Sequence, residues 1–409
     1  MSELKIELLL VLFFLTGLIG FLLNLPLIFY TAAASFLFIL LARIWNKYVF
    51  HRLNIRRSVS RKRIAIGDKI TYQLEIENKK LLPVPGLRIE DKVTGGVEFI
   101  NNNFFKEVTG TNFNIFHDIF NLRWYERVRR SYEIKVKKRG YYQLGRGRIF
   151  YKGLFGLFSN FYEDEKYQDL IVYPRILPAN ELGLSLQQLF GSKPRQGWLY
   201  PDRLNKVGVR PYQTTDDSKR INWKASARHG NLESNIYRPS RDQEYHIFLQ
   251  SGFSQNWWQG LNQKIMELMV IYAASIANFG LAKGYAVGLY SNGLLKKSRK
   301  HLAIKPEGGQ AQKKKILTGL ALLQSVSLID LGKVMEKEKG NVKNNSTVIV
   351  INYGMENNLK IALNKYRKKR KVHIVSFSPE INATEMPGIE LHQVRGRKDW
   401  DEIQNMELF

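Results

Sequence analysis

The sequence predicts a multidomain protein: an N-terminal transmembrane helical hairpin, then an antiparallel β-sandwich, then an α/β unit on a doubly wound, mostly parallel sheet. Three observations predict it. Residues 8–42 are almost wholly apolar and carry no charge. From Ile64 to about Pro174 apolar residues recur at every second position between clusters of turn residues. Beyond residue 245 short apolar runs alternate with helical ones. The boundaries that follow are 1–63 for the helices and a basic juxtamembrane segment, 64–175 for the sandwich, 176–244 for a linker with a central basic motif, and 245–409 for the α/β domain. A chain of 409 residues has room for more than one core.

The apolar stretch exceeds what one helix needs to cross a bilayer, about 20 residues for roughly 30 Å of hydrocarbon. Asn24-Leu25-Pro26 breaks it and fits a tight turn between two short spans, Leu8–Leu23 and Leu27–Ala42. One long kinked helix is the alternative. From Arg43 to Arg63 the chain carries eight cations and no acid: Arg43, Lys47, Arg52, Arg56, Arg57, Arg61, Lys62 and Arg63. Such a cluster beside a span stays cytoplasmic and is drawn to anionic membrane lipids. A multi-pass protein of the cell membrane with cytoplasmic soluble domains follows. Glu3, Glu7 and the length of the apolar run argue against a cleaved signal peptide.

Composition narrows the chemistry. The chain has no cysteine, which excludes disulfides, thiolate metal sites and a cysteine nucleophile, and fits a reducing compartment. A formal charge of +27 permits contact with anionic lipid, nucleic acid or an acidic partner. Nucleic acid is not expected, because the basic run abuts a membrane span.

In the middle region Ile70, Tyr72, Leu74 and Ile76 alternate with polar residues, as do Leu87, Ile89, Asp91 and Val93, and later Tyr132, Ile134 and Val136. Pro83, Gly86, Gly95-Gly96, Gly110, Gly140 and Gly145 punctuate them. Roughly seven short strands at this spacing suggest a sandwich of immunoglobulin type. It offers surface rather than a catalytic constellation. Further on, strands are expected at Tyr245–Leu249, Tyr285–Tyr290, Thr347–Ile351 and Val372–Phe377. Helices are expected at Gln259–Ala282, Gln312–Gln324 and Glu356–Lys369. Ligands of such sheets sit beyond the carboxyl ends of strands, here at the loop starting with Gln250. The run Lys365–Lys371 reads as a solvated helix end.

The chain is organised around Val207–Arg241. Lys206, Arg210, Lys219, Arg220, Lys224, Arg228, Arg238 and Arg241 stand there against only Asp216, Asp217 and Glu233, beside Tyr212, Trp223 and Tyr237. Arginine forks pair two oxygens and stack on rings, so this is either a binding patch or a seam that clasps a loop. The order of residues resembles the central motif of the family called domain of unknown function 58. The matches are Gly208, Arg210, Tyr212, Asp216, Arg220, Ile221, Trp223, Lys224, Ser226, Ala227 and Arg228, while Pro211 and Thr215 replace the family's Glu and Gly. Arg139-Gly140-Tyr141 and Phe155-Gly156-Leu157-Phe158 match too, with Gly153-Leu154 where the family has Asp-Pro. The resemblance runs through the carboxy-terminal three quarters and is specific mainly at 139–158 and 207–228.

The resemblance implies a C-terminal domain similar to the von Willebrand factor A domain, in which an Asp-x-Ser-x-Ser loop and a later Asp hold a divalent cation. Here Gln250 stands at the first Asp, Gly252 at the first Ser, Ser254 keeps the second Ser, and Tyr353 takes the later acidic position. Hard cations need oxygen ligands with carboxylate charge, so these are degenerate metal-site positions, and no metal and no cofactor is expected. No zinc-protease, serine-hydrolase or Walker motif appears, and the seven histidines, His229, His373 and His392 among them, are scattered singly. The expected function is a bacterial, membrane-anchored, non-enzymatic adaptor. Its candidate contacts are Arg210, Tyr212, Asp216, Arg220, Trp223, Lys224 and Arg228. The resemblance implies as partner a MoxR-type AAA+ ATPase, with a transglutaminase-like membrane protein as companion, in cell-envelope or protein-complex assembly. The alternatives are a hydrolase or nuclease acting through Asp216, Asp217 and His229, and a protein that binds anionic lipid or polyanion.

Overall fold

The computed structural model describes residues 3–100, 105–106, 113–153, 158–190, 201–213, 216, 218, 221–239, 244–252, 263–378 and 387–394. The chain divides into two compact units, with the boundary in sequence between Tyr173 and Pro174.

The first unit begins with helices α1 (Glu3–Leu22) and α2 (Pro26–Tyr48). Asn24 turns the chain with a left-handed φ of 50°, Leu25 N–H reaches back to the Gly20 carbonyl at 2.8 Å, and Pro26 opens α2. The helices run antiparallel: Phe21 meets Phe29, Phe14 meets Phe36, and Glu7 pairs with Arg43 at 3.1 Å. Gly20 permits the close approach, since a Cβ there would lie 2.8 Å from the Phe29 nitrogen. Leu8, Phe14, Leu18, Phe21, Leu27, Tyr30 and Leu41 stay exposed on the pair. By length and composition α2 can cross a membrane, whereas the apolar part of α1, Glu7–Leu22, is shorter.

Among the described residues ten strands follow, in two sheets. They are β1 (Leu53–Val59), β2 (Arg63–Ala65), β3 (Lys69–Asn78), β4 (Val84–Thr94), β5 (Val97–Ile100), β6 (Phe105–Lys106), β7 (Phe113–Leu122), β8 (Arg127–Val136), β9 (Gly140–Lys152) and β10 (Ser159–Tyr173). One sheet has the order β1-β3-β8-β5 and the other β2-β10-β9-β4-β7-β6; every pair is antiparallel except β2 with β10. The alternation expected from period two is there: Ile70, Tyr72, Leu74 and Ile76 of β3 share one core with Leu87, Ile89, Phe116, Phe120, Leu144 and Ile149 of the other sheet.

Two features depart from the sequence reading. First, Leu53–Val59, counted with the basic juxtamembrane run, is a strand paired along its length with β3. Arg57 points inward and is buried: its Nε and Nη2 bind both oxygens of Asp91 at 2.9 and 2.7 Å, and its Nη1 binds Asp164 at 2.5 Å. The Tyr72 hydroxyl completes the cluster with a 2.7 Å bond to Asp91. Burial works against the charged guanidinium, but Asp91 outweighs it and holds Arg57 above its ordinary range. Tyr72 is raised by burial and by the charge of Asp91. Secondly, Lys80 is buried and donates to the carbonyls of Val49 and His51, at 2.7 and 2.9 Å, just past the end of α2.

The second unit opens with α3 (Leu186–Phe190), whose Phe190 stacks on Tyr285 and whose carbonyl accepts from the Tyr245 hydroxyl at 2.9 Å. A two-stranded ribbon of β11 (Pro201–Pro211) and β12 (Glu233–Pro239) follows, with α4 (Trp223–His229) between its strands. So part of the expected linker is ordered structure.

The remaining elements are β13 (Glu244–Leu249), α5 (Gln263–Ala282), β14 (Ala286–Leu295), β15 (His301–Glu307), α6 (Gly309–Leu322), β16 (Leu323–Ser327), α7 (Leu331–Glu338), β17 (Thr347–Asn352), α8 (Asn357–Tyr366), β18 (Lys371–Ser376) and β19 (Glu390–Gln393). The sheet order is β15-β14-β13-β17-β18-β19, with β16 pairing β14. From β14 to β19 neighbours are parallel; β15 and β16 are antiparallel additions. Leu331, Val334 and Met335 of α7 and Leu359, Leu363 and Tyr366 of α8 pack on Phe248, Val348, Val350 and Ile374. On the other face Tyr272 of α5 meets Phe377. Helix α5 is also long and apolar enough to cross a membrane, but most of it is buried here as a core helix.

Candidate functional site

Two places carry the residues singled out by sequence. The first is the ribbon and α4. Asn222 caps the helix, its Oδ1 accepting from Ala225 N–H at 3.1 Å, and Gly230 ends it with a left-handed φ of 73°. Ser226 fastens it to β12 by accepting from Glu233 N–H at 2.9 Å while donating to the Asn222 carbonyl. Even so fastened, α4 buries no residue. Trp223 is 70% exposed, and Lys224, Ala227 and Arg228 are exposed beside it. Lys224 and Arg228 are four apart and share one face of the helix. Leu232, just before β12, and Val209 on β11 are also exposed.

Three of the other predicted contacts bond to one another. Arg210 Nη2 binds Asp216 Oδ1 at 2.6 Å, Asp216 Oδ2 accepts from Gln213 N–H at 3.1 Å, and the Tyr212 hydroxyl donates to the Asp216 carbonyl at 3.1 Å. These three therefore close the loop after β11. His229 Nδ1 lies 2.6 Å from Glu233 Oε1, so this histidine and Asp216 have separate partners. Arg220 and Asp217 lie outside the described residues. Arg210, Tyr212 and Asp216 are bonded within one loop, while Trp223, Lys224 and Arg228 face solvent.

The second place is the carboxyl end of β13 and β17. Gln250 is buried, and its Oε1 accepts from the N–H groups of Tyr353 and Gly354 at 3.0 and 3.2 Å. Its amide oxygen thus holds the loop after β17. Asn292, at the level of this loop on β14, accepts from Ser251 N–H at 2.8 Å and donates to the Gly252 carbonyl at 2.9 Å. Gly252 is tightly enclosed, because a Cβ there would stand 3.3 Å from that of Ser327. Ser254 lies outside the described residues. What the arrangement does chemically is tie loops with neutral amides.

Sequence reasoning missed Asn292, because an amide inside an apolar run carries no motif. It also missed Asp330, which caps α7 by accepting from Gly332 N–H at 2.7 Å, although an Asp before an apolar helical run is a recognised start signal.

Fold and site together define a mixed α/β protein with an N-terminal apolar helix able to span a membrane and an exposed aromatic and basic helix on its second unit. Residues 208–398 match the family model described as Protein of unknown function DUF58, and this part of the chain is similar to that family. The chain is also 24% identical over 257 residues to the "Uncharacterized protein YeaD" of Bacillus subtilis (strain 168); the match covers 63% of this chain and 60% of that protein's length. Two solved structures resemble a part of the chain. A fragment of Escherichia coli alpha-2-macroglobulin is 17% identical, covering 30% of this chain and 24% of its own, with a TM-score of 0.23. A cohesin module of a Clostridium perfringens glycoside hydrolase is 10% identical, covering 30% and 95%, with a TM-score of 0.21.

Proposed function

We propose that the protein is a membrane-anchored, non-enzymatic adaptor that offers α4 to a protein partner. The observation that carries this reading is the Trp223 side chain, 70% exposed beside Lys224 and Arg228 on a helix that buries nothing. Tryptophan and arginine dominate binding energy at protein interfaces, and an uncovered pair on a rigid element loses little freedom when it is captured. A partner with an acidic rim around an apolar pocket fits. The MoxR-type AAA+ ATPase implied by the family resemblance is the candidate, with a transglutaminase-like membrane protein as companion.

In this reading α1 and α2 form a two-span hairpin with both ends and both soluble units in the cytoplasm. The first unit is an immunoglobulin-type sandwich and the second a von Willebrand factor A-like domain that keeps the shape of its metal site without the ion. The adaptor's contact is protein to protein, and anionic lipid touches only the cations nearest the membrane.

The test is co-purification of the ATPase from detergent-solubilised membranes with the wild-type chain, Trp223→Ala and Arg228→Glu. Loss of a hot-spot tryptophan costs about 2 kcal/mol or more, roughly 30-fold in affinity. Both variants keep the caps of α4 and are expected to fold. Equal recovery from all three chains would remove α4 from the interface.

A further inference from the structure

His373, Glu390 and His392 are widely spaced in sequence, but the parallel pairing of β18 with β19 brings them together. His373 is level with Glu390, and Val375 with His392. His373 Nδ1 lies 3.2 Å from His392 Nε2 and 3.2 Å from Glu390 Oε2, and one ligand atom from each of the three lies within 4.8 Å of the others. We propose that these residues form a site for a divalent transition-metal ion of the zinc class, which staples the edge strand β19 to the sheet.

Two arguments carry it. The first is geometric. Two ligands at about 2.0–2.1 Å from a tetrahedral ion stand roughly 3.3 Å apart, close to both distances around His373 Nδ1. The second concerns protons. Two imidazole nitrogens and a carboxylate oxygen converge, and all three are lone-pair donors when the rings present their unprotonated nitrogens. A single proton on His373 Nδ1 can serve only one of them well. Moving it to His392 leaves the Nδ1 lone pair facing the carboxylate. A cation engages all three at once.

Imidazole with one carboxylate is a donor set that suits zinc better than magnesium or calcium. Three protein ligands leave a fourth position, which the half-exposed side of Glu390 opens to water. Lys371 Nζ holds the other oxygen of Glu390 at 3.0 Å and fixes the carboxylate's direction. This place is separate from the loops around Gln250. His373 is in register with Ile349 of β17, which is itself level with Ile247 of β13, so the cluster sits at mid-strand height and away from the carboxyl ends of the sheet.

The experiment uses the full, tag-free chain in detergent, stripped with a chelator and titrated with Zn²⁺ by calorimetry, and with Co²⁺ followed by its visible absorption. One equivalent of Zn²⁺ should bind, with slower amide exchange in Glu390–Gln393. His392→Ala and Glu390→Gln should each weaken binding about 100-fold or more, while His229→Ala should leave it unchanged. Glu390 is half exposed, so its variant stays informative if His392→Ala misfolds. Absence of saturable binding, or binding that survives both substitutions, would overturn the proposal.

Discussion

Replacing Arg57 by leucine should cripple the first unit. The guanidinium is 1% exposed and the Asp91 and Asp164 side chains are 0% and 5% exposed, so the substitution strands two carboxylates in the core. Removing one member of a buried ion pair costs about 3–5 kcal/mol, because the charge left behind is uncompensated. At about 1.36 kcal/mol per decade this is roughly a 10²–10⁴-fold rise in the opened population. The assay is hydrogen exchange by mass spectrometry on the full chain in detergent, read on peptides from Lys69–Asn78 and Val84–Thr94, whose amides should exchange faster by that factor. Arg57→Met combined with Asp91→Asn and Asp164→Asn should recover most of the loss, since a neutral core avoids the desolvation cost. A single variant that exchanges like the wild type would refute the reasoning.

His246 is buried, and burial, partly offset by Glu244, pushes it down to about 4. Its neutral form contributes stability that is fully present above the unfolded value of about 6.5 and is lost as pH falls towards 4. Between about pH 7 and pH 5 the second unit should lose about 1–2 kcal/mol from this residue in urea unfolding, and His246→Phe should flatten that dependence. Gln250→Ala removes the acceptor of two loop N–H groups, which should cost about 2–3 kcal/mol and speed exchange at Tyr353 and Gly354 while distant strands keep their protection.

Much of the second unit was legible because buried parallel strands are short, continuous apolar runs: the expected Thr347–Ile351 and Val372–Phe377 are β17 and β18 within a residue or so at each end. What resisted reading was polar sequence with partners far along the chain. β1 keeps a period of two, but Arg57 occupies an inward position, so Leu53–Val59 reads as a basic tail unless Asp91 and Asp164 are known to be its partners. Lys365–Lys371 looks solvated in sequence, yet Arg370 donates to the carbonyls of Val342 and Lys343, and Lys365 pairs with Glu336. The exposed half of the central motif was visible as composition and as a family resemblance, but not as a surface. Which of its cations close the loop and which face outward depends on the caps of α4, and the approach of His373 to His392 depends on strand order.

The Lys80 clamp has a mechanical consequence. Trp45 and Phe50 pack against the core formed by the two sheets of the first unit, Phe158 rests on Ile39 and Ala42, and the ammonium grips the last carbonyls past α2, so the connection is a welded joint instead of a hinge. An α2 that crosses the bilayer would then set the tilt and height of the two sheets above the lipid surface, and a pull on the sheets would be felt as torque on the helix.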